Sequence, residues 1–345
     1  MRNMTKALAG AAAATLLLTS CSGASGAGGK EKVSLMMDVG LLPKHALFYA
    51  AKEHGFYEAA GFDVNILPGT GSKDTALAVS AGRVDFGFAD FAMTAVARAE
   101  GADVKQIGLV QAETAYATVT TEGRGIEGWD DLKGKTVATE AGGAMTAMWP
   151  LALEKAGLAP GDVEVVAATG QAKIPGLLSK QWDATLAFFI SDEPVLKAQG
   201  ESPVVLKWSD IGISMYGNGI VASSKTLGDG DKASRFMDAT LRGAAWACQN
   251  QEQAAQALMK SVTEMGPEAA QAGVEAACSI LASDEMADLG LGAMSDKGAE
   301  RVVDLAGNYL GLDAGKVTPS DLYTNDYLPE VRVDEKMAAP AANEG

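Results

Sequence analysis

Residues 45–64 read HALFYAAKEHGFYEAAGFDV, and two periods sit inside that stretch. From Lys44 to His54 the apolar residues recur at helical spacing, and Pro43 stands where a first-turn proline is tolerated. Gly55 and Gly61 offer the left-handed backbone that a residue with a Cβ resists. After Gly61, Phe62 to Leu67 alternate as a half-buried strand does. Phe48, Tyr49, Phe56 and Tyr57 are read as core. The alternation extends both ways: strand Val33 to Met37 upstream, then helix Lys73 to Ala81, strand Val84 to Phe88, helix Phe91 to Glu100, and strands Val104 to Val110 and Tyr116 to Thr120. Strands alternating with helices predict an α/β chain with a mostly parallel, doubly wound sheet.

The Gly-rich segment Gly123 to Gly128 reads as a crossing into a second lobe. The pattern then restarts with strand Thr136 to Thr139, helix Ala144 to Ala156, strand Val163 to Ala167, helix Gln171 to Lys180 and strand Ala184 to Phe188. Strands at Pro203 to Leu206 and Gly219 to Ala222 bring the chain back. Beyond Ser223 it is nearly all helical and covers the first lobe. About 300 folded residues are more than one core organises, so two lobes are expected. The boundaries are 33–120 with 220–334 for lobe 1, and 121–219 for lobe 2. Two crossings make a hinge, and two open sheets meeting at their strand ends make a cleft.

Residues 1–20 carry Arg2 and Lys6, an apolar run from Ala7 to Leu18, and then Thr19-Ser20-Cys21. This reads as a short signal peptide ending in a lipobox, with Cys21 as the first mature residue and the point of lipidation. Residues 21–32 read as a flexible tether and 335–345 as a frayed tail. The formal net charge of −16 argues against nucleic acid as a partner. Cys248 and Cys278 are open to two readings: a disulfide in an oxidising compartment, or buried thiols.

Three blocks carry a family resemblance: residues 45–64, AGRVDFGFAD at 81–90 and DLKGKTVA at 131–138. In this order and spacing the chain resembles the bacterial solute-binding proteins related to thiamine-precursor, sulfonate, nitrate and riboflavin receptors. The resemblance covers most of residues 33–225. It implies a two-lobed type II periplasmic-binding-protein fold, and a monomeric, extracytoplasmic, lipid-anchored component of an ABC importer that works with a permease and an ATPase. No cofactor and no metal are expected, and no catalysis. Fungal relatives include an enzyme that makes the thiamine pyrimidine with a consumed His and a Cys-rich metal cluster, but this chain has only His45 and His54 and no clustered Cys.

Ligand contacts are expected just past the carboxyl ends of strands, where helix N-termini offer free N–H groups. Five loops qualify: Asp38 to His45, Gly69 to Ser72, Ala89 to Phe91, Glu140 to Met145, and Phe189 to Glu193. The residues singled out are Asp38, Lys44, His45, Gly69, Thr70, Asp90, Phe91, Gly142, Gly143, Met145, Phe189, Ser191 and Glu193. Tyr116, Trp149 and Tyr216 join Phe189 as stacking surfaces, with a core role as the alternative for each. In related pyrimidine and flavin receptors the first loop begins Asp-Trp and carries Pro-Asn; here Asp38 and Pro43 match while Val39 and Lys44 depart. The resemblance also implies a carboxylate that grips a ring nitrogen or amino group, and Glu193 is assigned to it over a helix-dipole role. No Arg falls in the five loops, and Lys44 is the one fixed cation in them, against Asp38, Asp90, Glu140, Asp192 and Glu193. This balance favours a nitrogen heterocycle, such as a thiamine pyrimidine precursor or a flavin, over a sulfonate or nitrate.

Overall fold

The computed structural model describes residues 29–140, 144–332, 334–337 and 339–340; Cys21, the leader and the Gly142-Gly143 pair lie outside them. The strands are β1 (Glu31–Met36), β2 (Val39–Gly40), β3 (Phe62–Leu67), β4 (Gly69–Thr70), β5 (Phe86–Asp90), β6 (Lys105–Leu109), β7 (Tyr116–Thr121), β8 (Thr136–Thr139), β9 (Glu164–Ala167), β10 (Ala184–Phe188), β11 (Pro203–Lys207) and β12 (Asn218–Ala222). The helices are α1 (Ala46–Glu53), α2 (Phe56–Ala59), α3 (Ser72–Ser80), α4 (Phe91–Ala99), α5 (Ala144–Lys155), α6 (Gly170–Leu178), α7 (Phe189–Ala198), α8 (Ser224–Leu227), α9 (Gly230–Gln249), α10 (Gln251–Ser261), α11 (Pro267–Cys278), α12 (Asp284–Leu289), α13 (Asp296–Tyr309) and α14 (Pro319–Leu322). A 3-10 turn, Pro43–His45, leads into α1.

Two five-stranded sheets organise the chain, in the orders β3-β1-β5-β12-β6 and β11-β7-β10-β8-β9. Each holds one strand that runs against the other four: β12 against β5 and β6, and β7 against β10 and β11. The reason is topological. Parallel strands joined by helices all end on the same edge of a sheet, so a chain leaving one sheet at that edge and entering the other at its facing edge must run backwards along it. β7 and β12 are the strands that follow the two crossings.

The crossings correct the domain boundaries. β7 pairs with β10 and β11, so the first crossing is residues 110–115 and not Gly123 to Gly128. The latter is a surface turn in which Gly123 and Gly125 take φ of 79° and 64°. The return crossing, 208–217, lies against the first: Thr114 N–H donates to the Met215 carbonyl at 2.9 Å. A Cβ at Gly217 would overlap the Glu113 carbonyl oxygen and lie 2.9 Å from that of Gln111, so only glycine lets the two segments approach this closely.

The core of the first lobe is aromatic. Phe48, Tyr57, Phe62, Phe86, Phe88 and Phe236 are all buried, with the Phe86 and Phe236 rings stacked at 4.0 Å. The helices after β12 cover this lobe, as the sequence implies, with two additions: α13 touches α5 of the second lobe, and α11 packs on its α7. It packs on the Pro43–His45 turn as well, where a Cβ at Gly273 would overlap that of Pro43. Cys248 and Cys278 form a disulfide, with Cα atoms 5.4 Å apart, that ties the end of α11 to the end of α9. Among the described residues, no helix is long and apolar enough to cross a membrane.

Candidate ligand-binding cleft

At the facing edges of the two sheets the chain brings together the ends of β1, β5, β8 and β10 with the starts of β7 and β12. Asp38, just past β1, is buried and accepts three hydrogen bonds: from Lys44 Nζ at 2.5 Å, His45 Nε2 at 2.8 Å and Asn218 Nδ2 at 2.9 Å. Leu42 N–H donates to His45 Nδ1 at 3.0 Å, so that nitrogen is unprotonated and the ring proton sits on Nε2, pointing at Asp38. His45 is therefore a neutral prop with both nitrogens occupied. Burial lowers its pKa, against the raising effect of Asp38. Burial pushes the Asp38 pKa up, but the Lys44 charge and the His45 hydrogen bond outweigh it and hold the carboxyl well below the usual range.

Asp90 ends β5 and caps α4: one of its oxygens accepts from Met93 N–H at 2.9 Å. Burial, with the nearby Asp38 charge, raises its pKa to about 6. A carboxylic acid with a raised pKa binds more protons folded than unfolded between about pH 4 and 6, so it costs stability as pH rises through that window. Asp90→Asn, which keeps a good cap, is expected to raise the unfolding free energy at pH 7 by on the order of 2 kcal/mol. The gain should vanish by pH 4. Thermal melts across that range check this, and a variant no more stable than the parent at pH 7 would refute the burial cost.

From the second lobe come Tyr116, Phe188 and Asp192. Tyr116 is buried between Phe188 and Trp208, with ring centroids 5.5 and 5.6 Å away, and burial together with the Asp90 charge pushes its phenol well up. Phe188 is paired with Tyr116 across β10 and β7 and is 41% exposed. Lys44 Nζ lies 5.9 Å from the centroids of both Phe88 in the first lobe and Phe188 in the second, so one ammonium spans the gap. Asp192 accepts from Phe188 N–H at 2.9 Å; burial raises its pKa, with Lys173 and Lys44 opposing.

The other expected residues are distributed less uniformly. Gly69 and Thr70 form β4, which pairs with β2 beside the Asp38 loop; a Cβ at Gly69 would collide with the Met37 carbonyl, and Thr70 donates to Asp74. Phe91 is fully buried, in contact with Tyr216 at 5.4 Å. Tyr216 in turn donates to Glu285 and accepts from Ser295 N–H, and it lines a groove of about 420 Å³ on the hinge side. Met145 and Trp149 are buried on α5, where Trp149 lies 6.1 Å from Trp208 and its Nε1–H has no acceptor among the described residues. Ser191 is half-buried in the first turn of α7. Phe189 turns into the core under Lys207, at 4.5 Å. Glu193 pairs with Lys197 at 2.8 Å and lines a separate groove of about 240 Å³ between α7 and α11. The carboxylate that feels the Lys44 charge is its neighbour Asp192, which caps the N–H of Phe188, and the exposed ring beside Lys44 is Phe188.

Two corrections explain these shifts. The third and fifth loops are not loops, because β5 runs directly into α4 and β10 directly into α7, which rotates alternate side chains away from the cleft. Asn218 was missed because only strand ends were taken. An antiparallel strand begins where parallel strands end, so its first residue belongs to the same edge.

The chain matches the NMT1/THI5-like family model over residues 42–254. It belongs to that family. The 4-amino-5-hydroxymethyl-2-methylpyrimidine phosphate synthase of Schizosaccharomyces pombe is 30% identical over 107 residues, 31% of either chain, so the match spans about a third of that enzyme's length. The formylaminopyrimidine-binding protein of Halalkalibacterium halodurans is 25% identical over 258 residues, 73% of this chain and 77% of its own. The alkanesulfonate-binding protein SsuA of Xanthomonas axonopodis pv. citri, bound to MOPS, superposes with a TM-score of 0.62 at 17% identity, covering 86% of this chain and 99% of SsuA. This likeness shows the periplasmic-binding-protein fold of an NMT1/THI5-like chain.

Proposed function

We propose that this NMT1/THI5-like chain is the extracytoplasmic, lipid-anchored substrate-binding component of an ABC importer. It captures a small nitrogen heterocycle, such as a thiamine pyrimidine precursor or a flavin, by closure of its lobes, and delivers it to a permease. The observation that carries this reading is the cleft itself: each lobe brings a buried or half-buried carboxylate to it, Asp90 at the end of β5 and Asp192 at the start of α7, with Phe188 exposed beside Asp192 and Tyr116 behind. Carboxylates on both sides suit amino and ring N–H groups, and a flat exposed ring suits a planar ligand. The name of the Halalkalibacterium relative points the same way. Catalysis is disfavoured because His45 has both nitrogens spent on its own chain, leaving no free imidazole at the strand ends to act as a base.

Lys44 favours a second reading, an anion receptor of the sulfonate or nitrate type, since it brings a buried ammonium to the cleft. Its charge is already neutralised by Asp38, and two more carboxylates oppose an anion there.

Calorimetry on the purified chain with 4-amino-5-hydroxymethyl-2-methylpyrimidine, formylaminopyrimidine, riboflavin, MOPS and nitrate tests the choice. One-to-one binding of a heterocycle at micromolar or better affinity is expected. Binding of MOPS or nitrate alone would overturn the reading. Partition of the cell-made protein into detergent, lost in Cys21→Ser, tests the anchor.

A further inference from the structure

Lys44 is buried to 5% exposure, yet among the described residues its ammonium makes one hydrogen bond, to Asp38. An ammonium carries three donors, so two remain to be satisfied. Leaving donors on a buried charge unpaired is costly, which makes them a demand on whatever enters the cleft. The surroundings do not meet it. Asp38 already receives His45 and Asn218 besides Lys44, and Phe88 and Phe188 present ring faces without acceptor oxygens. Asp90 and Asp192 feel the Lys44 charge but each spends an oxygen on a backbone N–H, of Met93 and of Phe188, and neither hydrogen-bonds the ammonium. The result is one cation with unfilled donors in a cleft to which each lobe brings a carboxylate: Asp90 pairs across the sheet with Asn218, which donates to Asp38, and Asp192 accepts from the N–H of Phe188, whose ring lies beside Lys44.

We infer that Lys44 is the specificity-determining residue of the cleft: it takes a lone-pair acceptor of the ligand, a ring nitrogen or a carbonyl oxygen, while amino or ring N–H groups beside that acceptor face Asp90 and Asp192. This rests on the heterocycle reading and narrows it. The ligand is a planar ring whose edge alternates acceptor and donor, as in an aminopyrimidine or a lactam. An alkylammonium offers the carboxylates their donors but leaves Lys44 unpaired. A strong oxyanion satisfies Lys44 but meets two carboxylates.

The test removes the acceptor without touching the protein. In 2-amino-4-methylbenzyl alcohol both ring nitrogens of 4-amino-5-hydroxymethyl-2-methylpyrimidine are replaced by C–H, while the amino, hydroxymethyl and methyl groups stay in place. Titrated at pH 8 into the whole chain, the benzene compound is expected to bind about 10–100-fold more weakly than the pyrimidine, the range for a hydrogen bond to a charged group. Lys44→Met should abolish the preference by weakening the pyrimidine alone. Should that variant fold poorly with Asp38 left unpaired, the paired replacement Asp38→Asn with Lys44→Met removes both charges and is expected to show the same loss. Equal binding of the two compounds by the parent chain would overturn the inference and leave the heterocycle reading intact, as would a preference that survives either variant. Failure of the parent chain to bind any pyrimidine, flavin or lactam would overturn both.

Discussion

Asp38→Asn is expected to lower the unfolding free energy by about 3–5 kcal/mol, the range for removing one partner of a buried ion pair. The asparagine is nearly isosteric, so packing is conserved and the loss is electrostatic. Lys44 would be left at 5% exposure with no counter-ion, and the new amide would turn an N–H₂ toward a site that already holds three donors. Adding Lys44→Met should recover most of the loss, because it removes the buried ammonium left without a partner. The pH dependence has a definite sign. Asp38 has a folded pKa held below its unfolded value, so its contribution is present above about pH 4 and fades as pH falls below that. Urea titrations at pH 7 and pH 3 would show a large difference between parent and variant that narrows in acid. A difference of the same size at both values would mean that Asp38 acts through shape and not through charge.

Replacing Cys248 and Cys278 by Ala is expected to cost about 3–4 kcal/mol. The bond closes a loop with a sequence separation of 30, and constraint of the unfolded chain by a loop of that length accounts for this magnitude. Both cysteines are partly buried against the first-lobe core, so Ala is tolerated locally and the main loss is the cross-link. The effect should reach the cleft, since α11 seats the turn that carries Lys44 and His45 and also contacts α7 of the other lobe. Melting curves with and without reductant should place the reduced parent and the double variant together, several degrees below the oxidised parent. Coincident curves for all three would show that the pairing adds nothing to stability.

The element pattern was legible in the sequence because it depends on local periods. Alternation in 62–67, helical spacing in 44–54 and the breaks at Gly55 and Gly61 are each decided within a few residues. The lobe boundary was not legible in this way. Gly123 to Gly128 has the composition of a linker, whereas the true crossing, Val110 to Ala115, contains no glycine and is largely buried, and only the pairing of β7 with β10 and β11 reveals it. The cleft shows the same division. That Asp38, Lys44 and Asp90 sit at strand ends follows from sequence order. Whether Asp192 or Glu193, and Phe188 or Phe189, faces the gap depends on the phase at which β10 becomes α7, a shift of a single residue that no composition encodes.

The two connecting segments are hydrogen-bonded to each other, with Gly217 allowing the close approach, and they form one ribbon instead of two independent tethers. A ribbon resists shear and extension but yields to twist and bend about one line. Displacement of one half relative to the other is thus expected to be angular, within what the α11–α7 contact allows. One pair of spectroscopic probes, placed on the far ends of α3 and α6, would report that excursion through the change in their separation.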